Sequence, residues 1–328
     1  MGYARKALVS LNDTPYYHVV ARCVRRAWLW GFDDYAGKDY SHRKDWILER
    51  LSLLTSIFTI EICAYALMSN HYHLVLFVDE KRAKSLTHEQ VVERWTALFG
   101  TPNCVAHYLN GKALKAEYEL AESTIDLWRR RLYDISWFMK CLNEYLARRA
   151  NTEDNCTGKF WEGRFRSQAL LDEAGLLTAM TYVDLNPIRA GIAETPEDSE
   201  FTSIYDRIRQ SGTGATKVSN DHRIVPLRAF ASRDEQCDAI PYRFDDYLQL
   251  VDWTGRSVRP DKRGSIDERL PPIAQRLNID ADAWRCAMQP RGNIFGRAMG
   301  KLDHLRLHAN TLGQSWVRGL SGARKLYV

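Results

Sequence analysis

The chain has 328 residues, 45% of them hydrophobic and 27% charged, a balance that excludes a mainly disordered, collagen-like or low-complexity polymer and leaves room for one large domain or two modest ones. No run reaches the roughly 18 apolar residues of a membrane span, and seven cysteines without a CxxC pair suit reduced thiols, so a cytoplasmic, nucleoid-associated protein with no membrane contact is expected. The net charge is only +5, but residues 201–328 hold 21 Lys/Arg against 14 Asp/Glu while the first 200 hold 25 against 27, and a basic surplus gathered in one segment favours a polyanionic partner such as nucleic acid.

In chain order, Val- and Tyr-rich residues 16–24 predict a strand, followed by a Gly/Asp loop over 31–38. Ile47, Leu51, Leu54 and Phe58, spaced 4, 3 and 4, predict an amphipathic helix over 43–58. Residues 59–67 and 71–78 read as two strands joined by the short link Met68-Ser69-Asn70, which is a hairpin signature. A polar, helix-prone stretch over 83–99 leads to a less regular insertion around 100–111. A second amphipathic helix is predicted over 135–149, then a strand over 164–171 and a helix over 172–185 with Asp172 as its N-cap. This order, strand-helix-strand-strand-helix-strand plus a helix, predicts an α+β, ferredoxin-like antiparallel sheet with helices on one face. Residues 211–219 read as a linker, so 1–210 form one expected domain and 211–328 a basic, mainly helical C-terminal extension, with helices at 241–251, 266–277 and 281–288.

Three segments carry candidate chemistry. In the strand His71-Tyr72-His73-Leu74-Val75-Leu76-Phe77-Val78, alternation puts His71 and His73 on the same side, as two metal ligands require, and Leu74, Leu76 and Val78 on the other. Taken alone, such a pair fits a structural role as well as ligation. In Tyr182-Val183-Asp184-Leu185-Asn186-Pro187, Tyr182 and Asn186 are one helical turn apart, although Pro187 disfavours helical geometry at Asn186. In Lys159-Phe160-Trp161-Glu162-Gly163-Arg164-Phe165-Arg166, guanidinium groups and rings suit an unpaired nucleic-acid strand, and Arg22, Arg25 and Arg26 would add to a basic rim. His304 and His308 lie one turn apart without an accompanying carboxylate pattern and read as a surface coincidence.

Together, Met68-Ser69-Asn70-His71-Tyr72-His73, Gly158-Lys159-Phe160-Trp161-Glu162-Gly163-Arg164-Phe165-Arg166 and Tyr182-Val183-Asp184-Leu185-Asn186-Pro187-Ile188-Arg189-Ala190-Gly191 resemble, in order, the motifs of the REP-associated tyrosine transposases of the HUH superfamily. The resemblance covers about residues 5–210, and Tyr72 departs from it where a bulky aliphatic is commoner. It implies the HUH transposase fold, with Tyr182 as nucleophile and with Mg²⁺ or Mn²⁺ held by His71, His73 and Asn186. Lys159, Trp161, Arg164, Arg166 and Arg22 would then contact DNA. The implied substrate is a REP-type single-stranded DNA hairpin, cut and rejoined through a 5′-phosphotyrosine, and the implied state is a monomer, with a dimer as in the insertion-sequence relatives the alternative. Two other readings remain open at the level of sequence. One is a DNA-hairpin binder that keeps the fold without cutting; the other is a zinc hydrolase, which needs a third His, Asp or Glu ligand that the sequence does not visibly place.

Overall fold

The computed structural model describes residues 9–24, 28–35, 37–211, 225–231, 238–258, 274–275, 277–288 and 296–327. Its elements in chain order are β1 (Tyr16–Arg22), β2 (Phe32–Asp33), β3 (Lys38–Asp39), α1 (Arg43–Ile57), β4 (Ile60–Leu67), β5 (His71–Val78), α2 (Glu80–Ser85), α3 (His88–Thr96), α4 (Asn103–Leu109), α5 (Lys115–Leu132), α6 (Ile135–Glu153), β6 (Arg166–Leu170), α7 (Glu173–Asp184), α8 (Asn186–Arg189) and α9 (Ser203–Gln210). Beyond these come α10 (Phe244–Val258), a helix at Ala281–Met288, the two-residue strand β7 (Ala298–Met299) and helices at Leu302–Thr311 and Leu320–Leu326. Among the described residues, no helix is long and apolar enough to cross a membrane.

The result is a mixed α/β fold around a five-stranded, mostly antiparallel sheet of order β4-β5-β1-β6-β7. β1 is its middle strand, antiparallel to β5 with Val20 opposite His73 and Arg22 opposite His71, and antiparallel to β6 with His18 opposite Gln168. β7 adds to β6 in parallel, Ala298 beside Ala169, a strand too short to leave a periodic signal in the sequence.

The expectation of helices on one face needs correction, because α7 covers the other face. Tyr72 reaches α6 through its hydroxyl, 2.6 Å from the Asn143 side-chain oxygen, whereas its neighbour His73 faces Tyr182 of α7, with ring centroids 5.8 Å apart. Adjacent strand residues point to opposite faces, so α6 and α7 sandwich the sheet. This explains the composition of α7. Every residue from Ala174 to Thr181 is buried, as expected for a helix enclosed between a sheet and further helices.

The outer cover of α7 comes from the C-terminal part of the chain. Tyr247 of α10 donates to Asp184 at 2.5 Å, Tyr327 contacts the Thr178 hydroxyl at 2.7 Å, and Tyr242 donates to the Glu173 carbonyl. Gly175 permits the closest approach: a Cβ there would lie 2.5 Å from the Met299 carbonyl oxygen. The N-cap at Asp172 is as predicted. Its carboxylate accepts from the Gly175 N–H at 2.8 Å and also from Lys301 N–H at 2.6 Å, and such caps stabilise a helix by about 1 kcal/mol.

Several boundaries differ from expectation. The helix α5 fills a region where the sequence shows no clear period, the loop over 31–38 holds the small β2–β3 hairpin, and Arg164 precedes β6 rather than sharing its face with Arg166. The expected linker 211–219 lies outside the described residues except for Ser211, as does most of the expected helix 266–277.

Candidate active site

A cavity of about 650 Å³ opens over β1, β5 and β6 on the α7 side of the sheet. His71, His73, Tyr182, Arg22, Arg164 and Arg166 all line it, although they come from four separate stretches of chain. The pairing of strands explains the convergence. Arg22 sits opposite His71, and the loop before β6 is stitched to the end of β1 by Glu162 N–H donating to the Arg22 carbonyl at 2.9 Å and by a bridge between Cys23 and Trp161. Three exposed guanidinium groups therefore surround the two histidines and the tyrosine, an arrangement suited to a phosphodiester.

Lys159 and Trp161 do not line the cavity. Lys159 is exposed on the approach loop. Trp161 is half-buried, donating its indole N–H to the Asn143 carbonyl at 2.9 Å and standing edge-on to Tyr72 and Phe160. Asn186 is also absent from the lining. The helix breaks at Leu185, where Pro187 can no longer donate to the carbonyl of Val183, but Asn186 is itself helical, against the expectation from Pro187, and opens the separate helical turn α8. It is buried, and its side-chain nitrogen has no hydrogen-bond partner. The amide oxygen and nitrogen are interchangeable by a flip, so Asn186 retains a polar atom that neighbouring side chains do not satisfy.

The environment of the two histidines favours their neutral form. Burial and the nearby Arg22 charge push His71 down to about 4. Burial, reinforced by His18, His71, Arg189 and Arg22, holds His73 well below the ordinary imidazole range. His71 Nδ1 is engaged by the Asn70 side-chain amide, 2.7 Å away. Two neutral imidazoles side by side on the cavity wall are donor types that fit a divalent cation, while Asn186 lies outside that lining. Among the described residues, no group of three or more His, Cys, Asp or Glu side chains could hold a metal, so the third ligand that a zinc hydrolase needs is not found there.

Two further residues stand beside the histidines and Tyr182, and one of them, His18, belongs to none of the three motifs. His18 is buried, stacks on His73 with ring centroids 5.1 Å apart, and places its Nε2 2.9 Å from His73 Nδ1. A signal for it exists: His18, Val20 and Arg22 alternate with the buried Tyr17, Val19 and Ala21, which marks the site face of β1. Arg189 holds its guanidinium carbon 4.2 Å from the centre of the Tyr182 ring, and it lies in the same motif, seven residues on. By contrast, His304 and His308 do not converge: His304 contacts Asp172 at 2.6 Å and His308 contacts Asp13 at 2.8 Å.

Asp184 secures the end of the tyrosine helix. It is buried and accepts from the Ser203 hydroxyl at 2.5 Å, the Ile204 N–H at 3.0 Å and Tyr247. Burial pushes its carboxyl up to about 6 against the pull of these donors. The position of Tyr182 is thus tied to α9 and α10 as well as to the sheet.

Comparison with known proteins adds one likeness. A solved structure of a REP-associated tyrosine transposase bound to a REP hairpin aligns over 70% of this chain and 100% of its own, with 12% sequence identity and a TM-score of 0.38. No protein-family profile matches the sequence, and no curated protein matches it.

Proposed function

We propose that the chain is a metal-dependent, tyrosine-type endonuclease and strand transferase acting on single-stranded DNA hairpins of the REP type. The observation that carries this reading is the convergence of Tyr182, His71, His73 and three arginines on one cavity. The three ordered motifs support the same assignment.

In this mechanism the arginines bind the phosphates flanking the scissile bond, with Arg164 and Arg166 from the loop and β6 and Arg22 from β1. His71, His73 and Asn186 would hold Mg²⁺ or Mn²⁺, which would supply Lewis-acid polarisation of the scissile phosphate. Tyr182 attacks phosphorus: its phenolic oxygen forms the new P–O bond and loses its proton, the bond to the 3′ oxygen breaks, and that oxygen takes up a proton as a free 3′-hydroxyl. The product is a 5′-phosphotyrosine that conserves the bond energy for rejoining. A free tyrosine, with a pKa of about 10, is largely protonated at neutral pH. The Arg189 guanidinium packs on the Tyr182 ring and steadies its placement.

The test is a labelled hairpin oligonucleotide incubated with the protein and Mn²⁺, beside a Tyr182→Phe variant and a sample with EDTA, and run on a denaturing gel. A protein-linked label is expected in the first lane and absent from the other two. No label in any lane across hairpins drawn from the host's own repeats, with binding intact, would replace the enzyme by a non-cutting hairpin binder.

A further inference from the structure

From His73 a chain of hydrogen-bonding groups runs along the wall of the same cavity, through His18 and Gln168 to Gly296. Gln168 donates from its side-chain nitrogen to the Gly296 carbonyl at 2.7 Å. Its oxygen lies 3.4 Å from His18 Nδ1, and His18 Nε2 lies 2.9 Å from His73 Nδ1.

The order of protons along this chain follows from one end. The Gly296 carbonyl can only accept, so the Gln168 amide must present nitrogen to it and oxygen to His18. An amide oxygen can only accept, so His18 carries a proton on Nδ1. His18 is buried between two uncharged side chains, Gln168 and His73, with no carboxylate among its hydrogen-bond partners in the described residues to hold a second proton, so its single N–H is on Nδ1 and Nε2 is left as an acceptor. His73 must then donate from Nδ1. Its only lone pair is on Nε2. The opposite order would set two oxygens face to face at 2.7 Å, or two lone pairs between Gln168 and His18, inside a buried site where such repulsion is least screened.

We infer that Gln168 and His18 are positioning residues that fix His73 in its ligating tautomer, and that the backbone of the C-terminal segment at Gly296 sets the direction of the chain. This rests on the proposed metal site. The segment is held firmly against the sheet, since Ala169 N–H donates to the Arg297 carbonyl at 2.8 Å and β7 follows at once beside β6. Through Gly296 the C-terminal region therefore orients a ligand of the site whose cavity it also lines. Partners that hold the second nitrogen of a ligating histidine are commonly worth about 10–100-fold in metal affinity.

Two measurements on the full-length chain decide it. Long-range ¹H–¹⁵N spectra of the metal-free protein, assigned with single histidine variants, should show both His18 and His73 protonated at Nδ1. A His73 protonated at Nε2 would overturn the inference whether or not the chain binds metal. Mn²⁺ titration followed by electron paramagnetic resonance should show Gln168→Leu binding about 10–100-fold more weakly than the unmodified protein. Gln168→Glu, which keeps an acceptor toward His18 while losing the donor to Gly296, should stay within about threefold of it although its melting temperature falls. Equal affinities for Gln168→Leu and the unmodified protein would also overturn it. Failure of the unmodified protein itself to bind Mn²⁺ would strike the metal site, leaving the tautomer spectra to judge the chain of hydrogen bonds.

Discussion

On one face of β5, Tyr72, Leu74, Leu76 and Val78 are almost wholly buried toward α6, and on the other, His71 and His73 stand over an open cavity beside three exposed arginines. The two sets alternate over residues 71–74, beyond which Val75 and Phe77 on the histidine face are buried as well. Each face is built from what its environment tolerates: apolar side chains where water is excluded, and neutral imidazoles with engaged Nδ1 atoms where a charged ligand is to be received. Because the strand is shared, the core also serves as the mounting plate of the site. The faces should nonetheless separate under mutation, one reporting in stability and the other in chemistry.

His71→Ala is the strongest test of that separation. His71 is half-buried and its Nδ1 is anchored by a side chain next to it, so its removal leaves little void. Covalent product formation should fall by at least about 100-fold, the scale of losing one electrostatic contributor to a transition state, while the urea midpoint stays close to that of the unmodified protein. Leu74→Ala is the mirror experiment. Leu74 is fully buried, and its truncation should cost about 2–5 kcal/mol by urea denaturation. Cleavage per folded molecule should be unchanged. A loss of cleavage in Leu74→Ala beyond the loss of folded protein would show that the core side sets the histidine positions more tightly than alternation alone implies.

The same contrast explains what the sequence makes legible. β5 can be read to the residue because its alternation, its β-branched and aromatic content and the short link before it all point the same way. The helix over 135–153 is legible from its apolar spacing. α5 is harder to see although Ala121, Ile125, Trp128 and Leu132 are buried at helical spacing, because the exposed Leu114, Tyr118 and Leu120 blur the pattern at its start. Tyr182, His71 and His73 are recoverable from motifs. His18 is visible only as the odd polar residue on an alternating strand. The chain from Gly296 through Gln168 and His18 to His73 is beyond reach, since it joins residues 128, 150 and 55 positions apart through three strand pairings, and no local pattern encodes that meeting.

Tyr72 offers the smallest and most discriminating effect. It occupies the position between the two histidines, and its ring points to the core face. There it does more than fill space: its hydroxyl donates to the Asn143 side chain at 2.6 Å, while Trp161 donates to the carbonyl of the same Asn143 and stands edge-on to the Tyr72 ring at 5.8 Å. The tyrosine thereby fastens the loop that carries Arg164 to α6. Tyr72→Phe keeps the ring and removes one hydrogen bond, so it should lower stability by about 1 kcal/mol, readable as a small fall in the urea midpoint. If the division of faces holds, the yield of covalent product at saturating hairpin should be unchanged, because the arginines keep their places through the backbone bonds to Arg22 and Cys23. A drop in yield with little change in stability would instead make the Asn143 junction part of the site, and would place the border between core and chemistry one residue deeper than alternation draws it.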